Sequence, residues 1–310
     1  MSEIKEVLGI VLPIFTLVYL GFLFRHVKMG RGSWFNTLNL FVYYVSLPAV
    51  VISSFWQIDI LDPLSARTAG LNLLLLLMCA AAFFAILQAL VHASGRAKAS
   101  IFMVGLVGNT VYLGFPLIHR AFGAGEAALG IAAAALHLAA GLIFSIMAVE
   151  YWVVKSRKPL VYAKDFVKNP LFISLALGII ISLIKPAGEV YEAVQKPLSM
   201  LGQTASPLAL FALGGFLHGK FLREHLRPAL LLAGLKLAIL PLVFWASLNY
   251  LGAGRGIAAV SALAAAMPAA VTAFVLAEKY NLDHELVANT ILISTGLSVF
   301  TISLLLVVVK

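Results

Sequence analysis

The chain has 310 residues, of which 62% are hydrophobic and only 11% are charged. This balance excludes a soluble globular protein, because a soluble surface needs far more charge. The net charge of +9 would suit a nucleic-acid partner. The cations are confined to short loops, however, so membrane topology explains them better and no nucleic acid is expected. We therefore predict an integral membrane protein embedded in a lipid bilayer.

Signatures of enzymes and metal sites are missing from the sequence. The single cysteine, Cys79, lies in an apolar stretch, which argues against a disulfide framework or a cysteine-based metal site. There is no HExxH, no GxSxG and no pair of intramembrane carboxylates. The acidic N-terminus "MSEIKE" does not resemble a removable signal peptide. We predict neither an enzyme nor a bound cofactor or metal.

Ten apolar stretches are predicted to be transmembrane helices, since about 20 residues rising about 1.5 Å each cross the hydrocarbon core. We number them spans 1 to 10, and the sixth is short. In chain order they are 7–25, 35–56, 67–91, 99–120, 127–152, 170–185, 194–218, 228–250, 256–277 and 286–308.

The distribution of lysine and arginine between loops predicts the orientation. If the N-terminus is outside, the inner loops hold about twice as many of these cations as the outer segments. Positive charge is enriched on the cytoplasmic side of membrane proteins. We therefore predict a multi-pass protein of the cell membrane with both termini outside the cytoplasm.

A basic connector after span 5 suggests two five-helix halves, residues 1–158 and 159–310. An odd number of helices in each half forces the second half to insert upside down relative to the first. Faint internal similarity supports the division, because spans 1 and 6 both carry a proline followed eight residues later by a glycine. Inverted repeats are typical of secondary transporters, whose site lies near the middle of the membrane.

Two of the predicted spans contain residues that interrupt a helix. "GNTVYLGFP", 108–116, breaks span 4, and "AAMPAAVTA", 265–273, gives span 9 a matching break. Freed backbone groups are costly in lipid, so these stretches should face the protein interior or an aqueous cavity. Helix N-termini at such breaks attract anions. The alternative is an ordinary proline kink with Asn109 serving only as a hydrogen-bonding link between helices.

Several stretches resemble the auxin efflux carrier family, which includes the plant PIN carriers and is more distantly related to the bile acid:sodium symporters. "GNTVYLGFPLIHRAFG", 108–123, is similar to the fourth-helix signature of that family. "AAMPAAVTAFVLAEKYNLDHELVA", 265–288, is similar to its ninth-helix signature and the following loop. "LPIFTLVYLGFLFRHVKM", "LFVYYVSLPAVVISSF" and "LKLAILPLVF" extend the resemblance over nearly the whole chain.

This resemblance implies an all-α polytopic fold of ten helices in two inverted repeats. It implies a scaffold of helices 1, 2, 6 and 7 and a mobile transport unit of helices 3–5 and 8–10. Helices 4 and 9 would cross at their breaks. Family members often form dimers through the scaffold, and they carry organic anions with a carboxylate, such as auxin or small dicarboxylates.

Three departures from the family pattern limit what carries over. The long hydrophilic loop of many plant members is here only about 155–169, and Ala273 stands near a second proline of the plant sequences. Plant members also have an acid–base pair in helix 3, where this chain has only Asn72. The plant proton-coupling site therefore does not transfer directly.

Asn109 is the first candidate for substrate binding, because it matches the crossing motif and an amide donates to a carboxylate without the desolvation cost of a buried charge. Eight further residues are candidates for the crossing region, chiefly through their backbone. They are Gly108, Thr110, Pro116, Met267, Pro268, Ala269, Ala270 and Thr272.

Four polar residues are candidates for ion coupling or charge. Lys236 in span 8 either attracts the anion or extends its ammonium to the membrane interface. His137 in span 5 either carries a coupling proton or is a neutral histidine bonded to a neighbouring helix. Gln203 faces the pocket or links helices, and Glu278 is a candidate for gating within the family-like "AEKYN".

These observations favour a secondary transporter that carries a small organic anion by elevator-type alternating access. The coupling ion is expected to be a proton or sodium, and a homodimer is expected from the resemblance. Two alternatives remain open: a sodium-coupled symporter of the bile-acid-carrier type, and a membrane receptor that does not transport.

Overall fold

The computed structural model describes residues 2–56, 61–122, 124–154, 168, 170–184, 189–218 and 225–309. The regular structure in these ranges is helical, apart from one isolated bridge between two residues. The predicted all-α fold class is therefore confirmed for the described part of the chain.

Twelve helices occur in these ranges. The first six are α1 (Ser2–His26), α2 (Gly32–Trp56), α3 (Pro63–Leu90), α4 (Gly95–Leu106), α5 (the π-helical turn Thr110–Gly114 followed by Phe115–Ala121) and α6 (Ala124–Val149, continued by the π-helical turn Glu150–Val154). The other six are α7 (Pro170–Ile184), α8 (Glu189–Gln203 continued by Ala205–Leu217), α9 (Leu226–Tyr250), α10 (Arg255–Ala265), α11 (Val271–Lys279) and α12 (His284–Val309).

Six helices are long and apolar enough to cross a membrane, namely α2, α3, α6, α8, α9 and α12. Shorter apolar helices lie in α1, α7 and α10. The predicted span 4 corresponds to α4 with α5, and span 9 to α10 with α11, so each is divided into two helices. The described helices thus agree with a polytopic membrane protein, while ten crossings in an inverted repeat stay a prediction.

Local capping explains where several of these helices begin. Asp62 accepts a hydrogen bond from the backbone N–H of Ser65 at 2.8 Å and caps α3. Ser94 accepts from the N–H of Ala97 at 3.2 Å and caps α4. A side-chain oxygen at this position satisfies an N–H that has no partner in the first helical turn. By contrast, the helices that begin at the two breaks have no side-chain cap.

The helices form two packing groups. In the first group, α1 packs against the second part of α8, and α2 packs against α7 and α8. The α1–α8 contact is so close that a methyl group on Gly21 would lie 2.0 Å from the Phe211 carbonyl oxygen. On the partner helix, a methyl on Gly214 would lie 1.9 Å from the Val18 carbonyl oxygen. Glycine at both positions therefore permits backbone-to-backbone packing.

The second group consists of α3–α6 and α9–α12. Its central helix, α6, packs against α3, α4 and α10, and α9 packs against α10 and α12. Small side chains allow this density, since the alanines of 132–135 in α6 and the whole of 257–265 in α10 are buried. Both breaks lie inside this second group, away from the surface.

Candidate functional site

The two breaks meet and pair through their backbones. Gly108 and Ala269 form an antiparallel bridge, in which the Asn109 N–H donates to the Pro268 carbonyl at 2.8 Å. The Ala270 N–H donates to the Val107 carbonyl at 3.0 Å. These bonds satisfy groups that the broken helices leave free, which is what a buried, irregular backbone requires. The prediction that the two broken helices cross at their breaks is confirmed.

Four helix ends converge at this crossing. The helices α4 and α10 end there with their carbonyl groups, and α5 and α11 begin there with their N–H groups. A helix N-terminus carries a partial positive charge and a C-terminus a partial negative one. Because α5 and α11 both lack a side-chain cap, their first N–H groups offer the crossing two places that suit an anion.

Lys236 brings a cationic group to the crossing. It lies in the π-helical turn Leu235–Ile239 of α9, is 1% exposed, and its Nζ donates to the carbonyl oxygen of Leu106 at 3.1 Å. Leu106 is the last residue of α4, so its carbonyl has no partner in the helix. The alternative that Lys236 extends to the membrane interface is wrong, because its ammonium points inward.

Gly108 leaves the space that Lys236 occupies. A methyl group at Gly108 would lie 3.3 Å from Nζ and 3.4 Å from Cε of Lys236. At Gly114, a methyl would lie 3.2 Å from Cγ of Met267 instead. Each glycine of the first break therefore accommodates a particular side chain, one cationic and one apolar.

The polar side chains of the crossing differ in whether they already have a hydrogen-bond partner within the protein. Asn109 is 5% exposed, and its side-chain amide makes no capping hydrogen bond to α5. Thr272 has a buried hydroxyl with no hydrogen-bond partner in the described part of the chain. Thr110, however, donates to the carbonyl of Ala134 at 2.9 Å and ties α5 to α6.

The remaining crossing candidates contribute backbone and shape. Met267, Ala269 and Ala270 are all buried, and Pro268 supplies the carbonyl that Asn109 binds. The backbone N–H of Ala269 donates a hydrogen bond to the Ser294 hydroxyl at 3.1 Å, which links the second break to α12. Pro116 lies in α5, and its side chain falls outside the described part of the structure.

His137 belongs to a hydrogen-bond network that joins α3, α6 and α10. The amide nitrogen of Asn72 donates to the Thr68 carbonyl and to the Ser261 hydroxyl, both at 2.8 Å. Its amide oxygen therefore accepts from His137 Nε2 at 2.9 Å, which places the imidazole hydrogen on that nitrogen. The ring also packs on Phe244 with centroids 4.9 Å apart. His137 is thus hydrogen-bonded to a neighbouring helix.

Comparison with known proteins agrees with this architecture. The model of the family described as "Membrane transport protein" matches residues 6–159 and 159–306. The chain belongs to the membrane transport protein family. This confirms the resemblance to auxin efflux carriers, and the family and its relatives are transporters and not enzymes.

Three relatives of this membrane transport protein cover nearly all of its length. A protein of Rhizobium meliloti named "Putative malonate transporter" is 28% identical over 98% of this chain and 96% of its own. An "Uncharacterized transporter" of Methanothermobacter thermautotrophicus is 28% identical over 95% of both chains. Another from Methanocaldococcus jannaschii is 24% identical over 96% of this chain and 97% of its own.

Two sequence candidates of the transporter lie away from the crossing. Gln203 is exposed, and its amide nitrogen donates to Ser199 Oγ at 3.3 Å within α8. Glu278 is near the end of α11, about 12 Å along the helix from the break. Its carboxylate lies 3.2 Å from Nδ1 of His284. The structure brings neither residue to the crossing.

Sequence reasoning missed three residues that hold the breaks of this transporter in place. Ser294 supports Ala269, Ser261 supports Asn72, and Tyr112 donates its hydroxyl hydrogen to the Gly202 carbonyl at 2.8 Å. Ser294 belongs to a buried polar stripe of α12 in the part "NTILISTGLS". That stripe in an otherwise apolar helix was a usable signal. Tyr112 and Ser261 gave none, since single hydroxyl groups are common in membrane helices.

Proposed function

We propose that this protein is a secondary active transporter of a small organic anion, with a dicarboxylate such as malonate as the leading candidate. The observation that carries the proposal is the crossing of the two breaks, where two uncapped helix N-termini meet a buried lysine. A transported carboxylate needs such a polar binding site within an otherwise apolar protein. The name of the Rhizobium meliloti relative agrees with this substrate class.

The proposed binding site holds a carboxylate through several neutral hydrogen-bond donors and one cation. The amide of Asn109 and the hydroxyl of Thr272 supply neutral hydrogen-bond donors at the start of α5 and α11. The N–H groups of these first turns add partial positive charge. Lys236 supplies the full positive charge next to Gly108. A dicarboxylate would place one carboxylate at the lysine and the other at a helix N-terminus.

The proposed movement is of the elevator type. The first packing group, α1, α2, α7 and α8, serves as the scaffold, and the second group carries the crossing past it. Contacts between the groups include polar ones, since the Tyr43 and Tyr280 hydroxyls lie 3.3 Å apart and the Lys279 ammonium lies 4.8 Å from the ring centre of Tyr44. They also include apolar ones, such as that of Phe216 with Phe274, whose ring centres are 5.0 Å apart. Movement of the second group would exchange these contacts for others along the scaffold.

A polar cavity between the groups supports the proposed access route. Its volume is about 240 Å³, and it lies between the scaffold helices α1, α2 and α8 and the mobile helix α11. Its polar lining residues are Arg25, Asn36, Asn39, His218 and Glu278. By the predicted orientation it opens toward the cytoplasm, where Arg25 would meet an entering carboxylate.

Further parts of the proposal come from the family resemblance and the charge distribution. They are a homodimer through the scaffold helices, both termini outside, and a proton or sodium as the coupling ion. Lys236 argues against sodium at the end of α4, because its ammonium already occupies the carbonyl oxygen that would bind such a cation.

Counterflow in proteoliposomes tests the function. Vesicles loaded with unlabelled malonate are diluted into a trace of labelled malonate, and transient accumulation of label is expected. Acetate, with one carboxylate, and glucose, with none, serve as competitors, and only carboxylates are expected to compete. Binding of malonate without any flux would favour the receptor alternative. Accumulation that requires sodium would favour the symporter of the bile-acid-carrier type.

A further inference from the structure

Among the residues that the structure describes, none gives the ammonium of Lys236 a negatively charged partner. In the described part of the chain, the ion pairs involve His225 with Asp283 and His284 with Glu278, and neither includes Lys236. Its only hydrogen bond there is to the neutral Leu106 carbonyl. A buried, unpaired charge is strongly unfavourable, so a lysine in this place is stable either as a neutral amine or when an anion sits beside it.

Few titratable groups surround this lysine. Cys79 faces it from α3 and His137 from α6. The helices α4 and α12, which also pack against the π-helical turn of α9, carry their titratable side chains only near their first turns. Those side chains are Arg96, Lys98, His284 and Glu285. None of these groups supplies a carboxylate at the depth of Lys236.

A carbonyl partner suits both protonation states of the lysine. An amine and an ammonium each have an N–H to donate to Leu106, so the bond persists when the proton leaves. Gly108 lets Nζ approach the backbone of the first break, two residues before α5 begins at Thr110. An anion bound at the uncapped start of α5 would supply a counter-charge to the ammonium.

We propose that Lys236 carries the coupling proton of the transport cycle, protonated when an anion is bound and neutral when the site is empty. This rests on the proposed function, and it assigns to Lys236 the role that the sequence suggested for His137. The imidazole of His137 is held by the hydrogen bond of its Nε2 to Asn72 and is packed on Phe244. Lys236, in contrast, reaches the crossing itself.

The charges in this cycle balance. On loading, a proton from water adds to the lone pair of Nζ, and a substrate carboxylate pairs with the resulting ammonium. On release, the anion departs and Nζ returns the proton to water. A malonate dianion thus crosses with one proton, and the loaded site bears one net negative charge. The empty site returns uncharged, so no unpaired ammonium needs to cross the apolar interior.

Simultaneous measurement of malonate and proton fluxes tests the proposal. Proteoliposomes of the wild-type protein enclose a pH-sensitive dye, and the membrane potential is clamped with potassium and valinomycin. Adding external malonate is expected to acidify the lumen, with one proton entering per malonate after correction for passive leak. Net malonate uptake without any proton entry would overturn the role of Lys236 while leaving the proposed transporter intact. Absence of exchange would remove both.

Two substitutions separate charge from proton transfer. Lys236→Arg keeps a permanent cation, since arginine does not release its proton. It is expected to retain malonate exchange while net uptake falls about tenfold or more, because the empty site cannot return uncharged. Lys236→Met is expected to weaken malonate binding about a hundredfold. Lys196→Met, which changes an exposed lysine of α8, is the matched control and should behave as wild type.

A variant of His137 decides which of the two candidate residues, Lys236 or His137, carries the coupling proton. His137→Gln is expected to keep proton entry with malonate. Loss of proton entry in His137→Gln, with its retention in Lys236→Arg, would transfer the role back to His137. If Lys236→Arg does not fold, as judged by gel filtration and thermal unfolding, the wild-type proton flux still decides whether coupling exists, and the His137→Gln flux still decides whether His137 carries it.

Discussion

The two breaks are built from the same backbone scheme but offer different chemistry. The first, between α4 and α5, contains Asn109, contacts Lys236 and ties Tyr112 to Gly202 of α8. The second, between α10 and α11, is a buried run of small apolar residues around Met267 and Pro268, in which Thr272 supplies the one polar side chain. The first break therefore carries nearly all the polarity of the crossing, and the second supplies the pairing partner.

Each break is nevertheless braced by a helix later in the chain, α6 for the first break and α12 for the second. Thr110 in the first break binds the Ala134 carbonyl of α6. Ala269 in the second break binds the Ser294 hydroxyl of α12. This similarity suits the proposed inverted repeat, in which α6 and α12 are equivalent. A repeated backbone arrangement can therefore keep its shape while its side chains diverge. Here the charged side chain lies at only one of the two breaks.

Removing the amide from the first break should have the largest effect. Asn109→Ala is expected to weaken malonate exchange about tenfold to a hundredfold, as a hydrogen bond to a charged group is worth about 1.5–3 kcal/mol. Exchange is measured by counterflow at several malonate concentrations. The matched control, Asn249→Ala, removes an exposed amide from α9 and should leave exchange unchanged. Near-normal exchange by Asn109→Ala would remove this residue from the site.

Enlarging the two glycines of the first break sharpens the comparison. Gly108→Ala pushes a methyl toward Nζ of Lys236, whereas Gly114→Ala pushes one toward Cγ of Met267. We expect Gly108→Ala to lower malonate exchange severalfold because it displaces the ammonium. Gly114→Ala should lower the free energy of unfolding by about 1 kcal/mol. It should leave malonate exchange nearly unchanged, since the methionine side chain is flexible. Equal effects of both variants on exchange would contradict the special role of the first break.

Loss of the brace at the second break should mainly affect stability. Ser294→Ala leaves the buried N–H of Ala269 without its acceptor, which is expected to cost about 1–3 kcal/mol. Thermal unfolding of purified protein in one detergent measures the change. Ser298→Ala is the control and should cost less, because in the described part of the chain the Ser298 hydroxyl donates to the Thr295 carbonyl of its own helix and braces no break. If both variants unfold at the same temperature, Ser294 does not brace the break.

Helix positions and the two breaks were predictable because hydropathy and helix-breaking residues are local signals. The breaks at 108–116 and 265–273 followed from proline and glycine, and their meeting followed from the family resemblance. Side-chain direction was not predictable in the same way. Lys236 sits in a π-helical turn just before Pro241. The proline indicates an irregular helix there, but it does not indicate which way the lysine points. The same holds for the pairing of His137 with Asn72, which are distant in sequence.

The smallest effect is expected at His137, where the sequence suggested a coupling proton. Glutamine can replace the imidazole as a donor to the Asn72 amide oxygen, so His137→Gln should keep the link between α3 and α6. Malonate uptake measured from pH 5.5 to 8.5 is expected to keep the shape of its pH profile, with a change in rate of less than about threefold. His137→Leu, which cannot donate, is the paired variant and should lower thermal stability because it leaves that amide oxygen unpaired. A profile that becomes flat in His137→Gln would instead make the second packing group's histidine, and not the lysine at the first break, the group that titrates during transport.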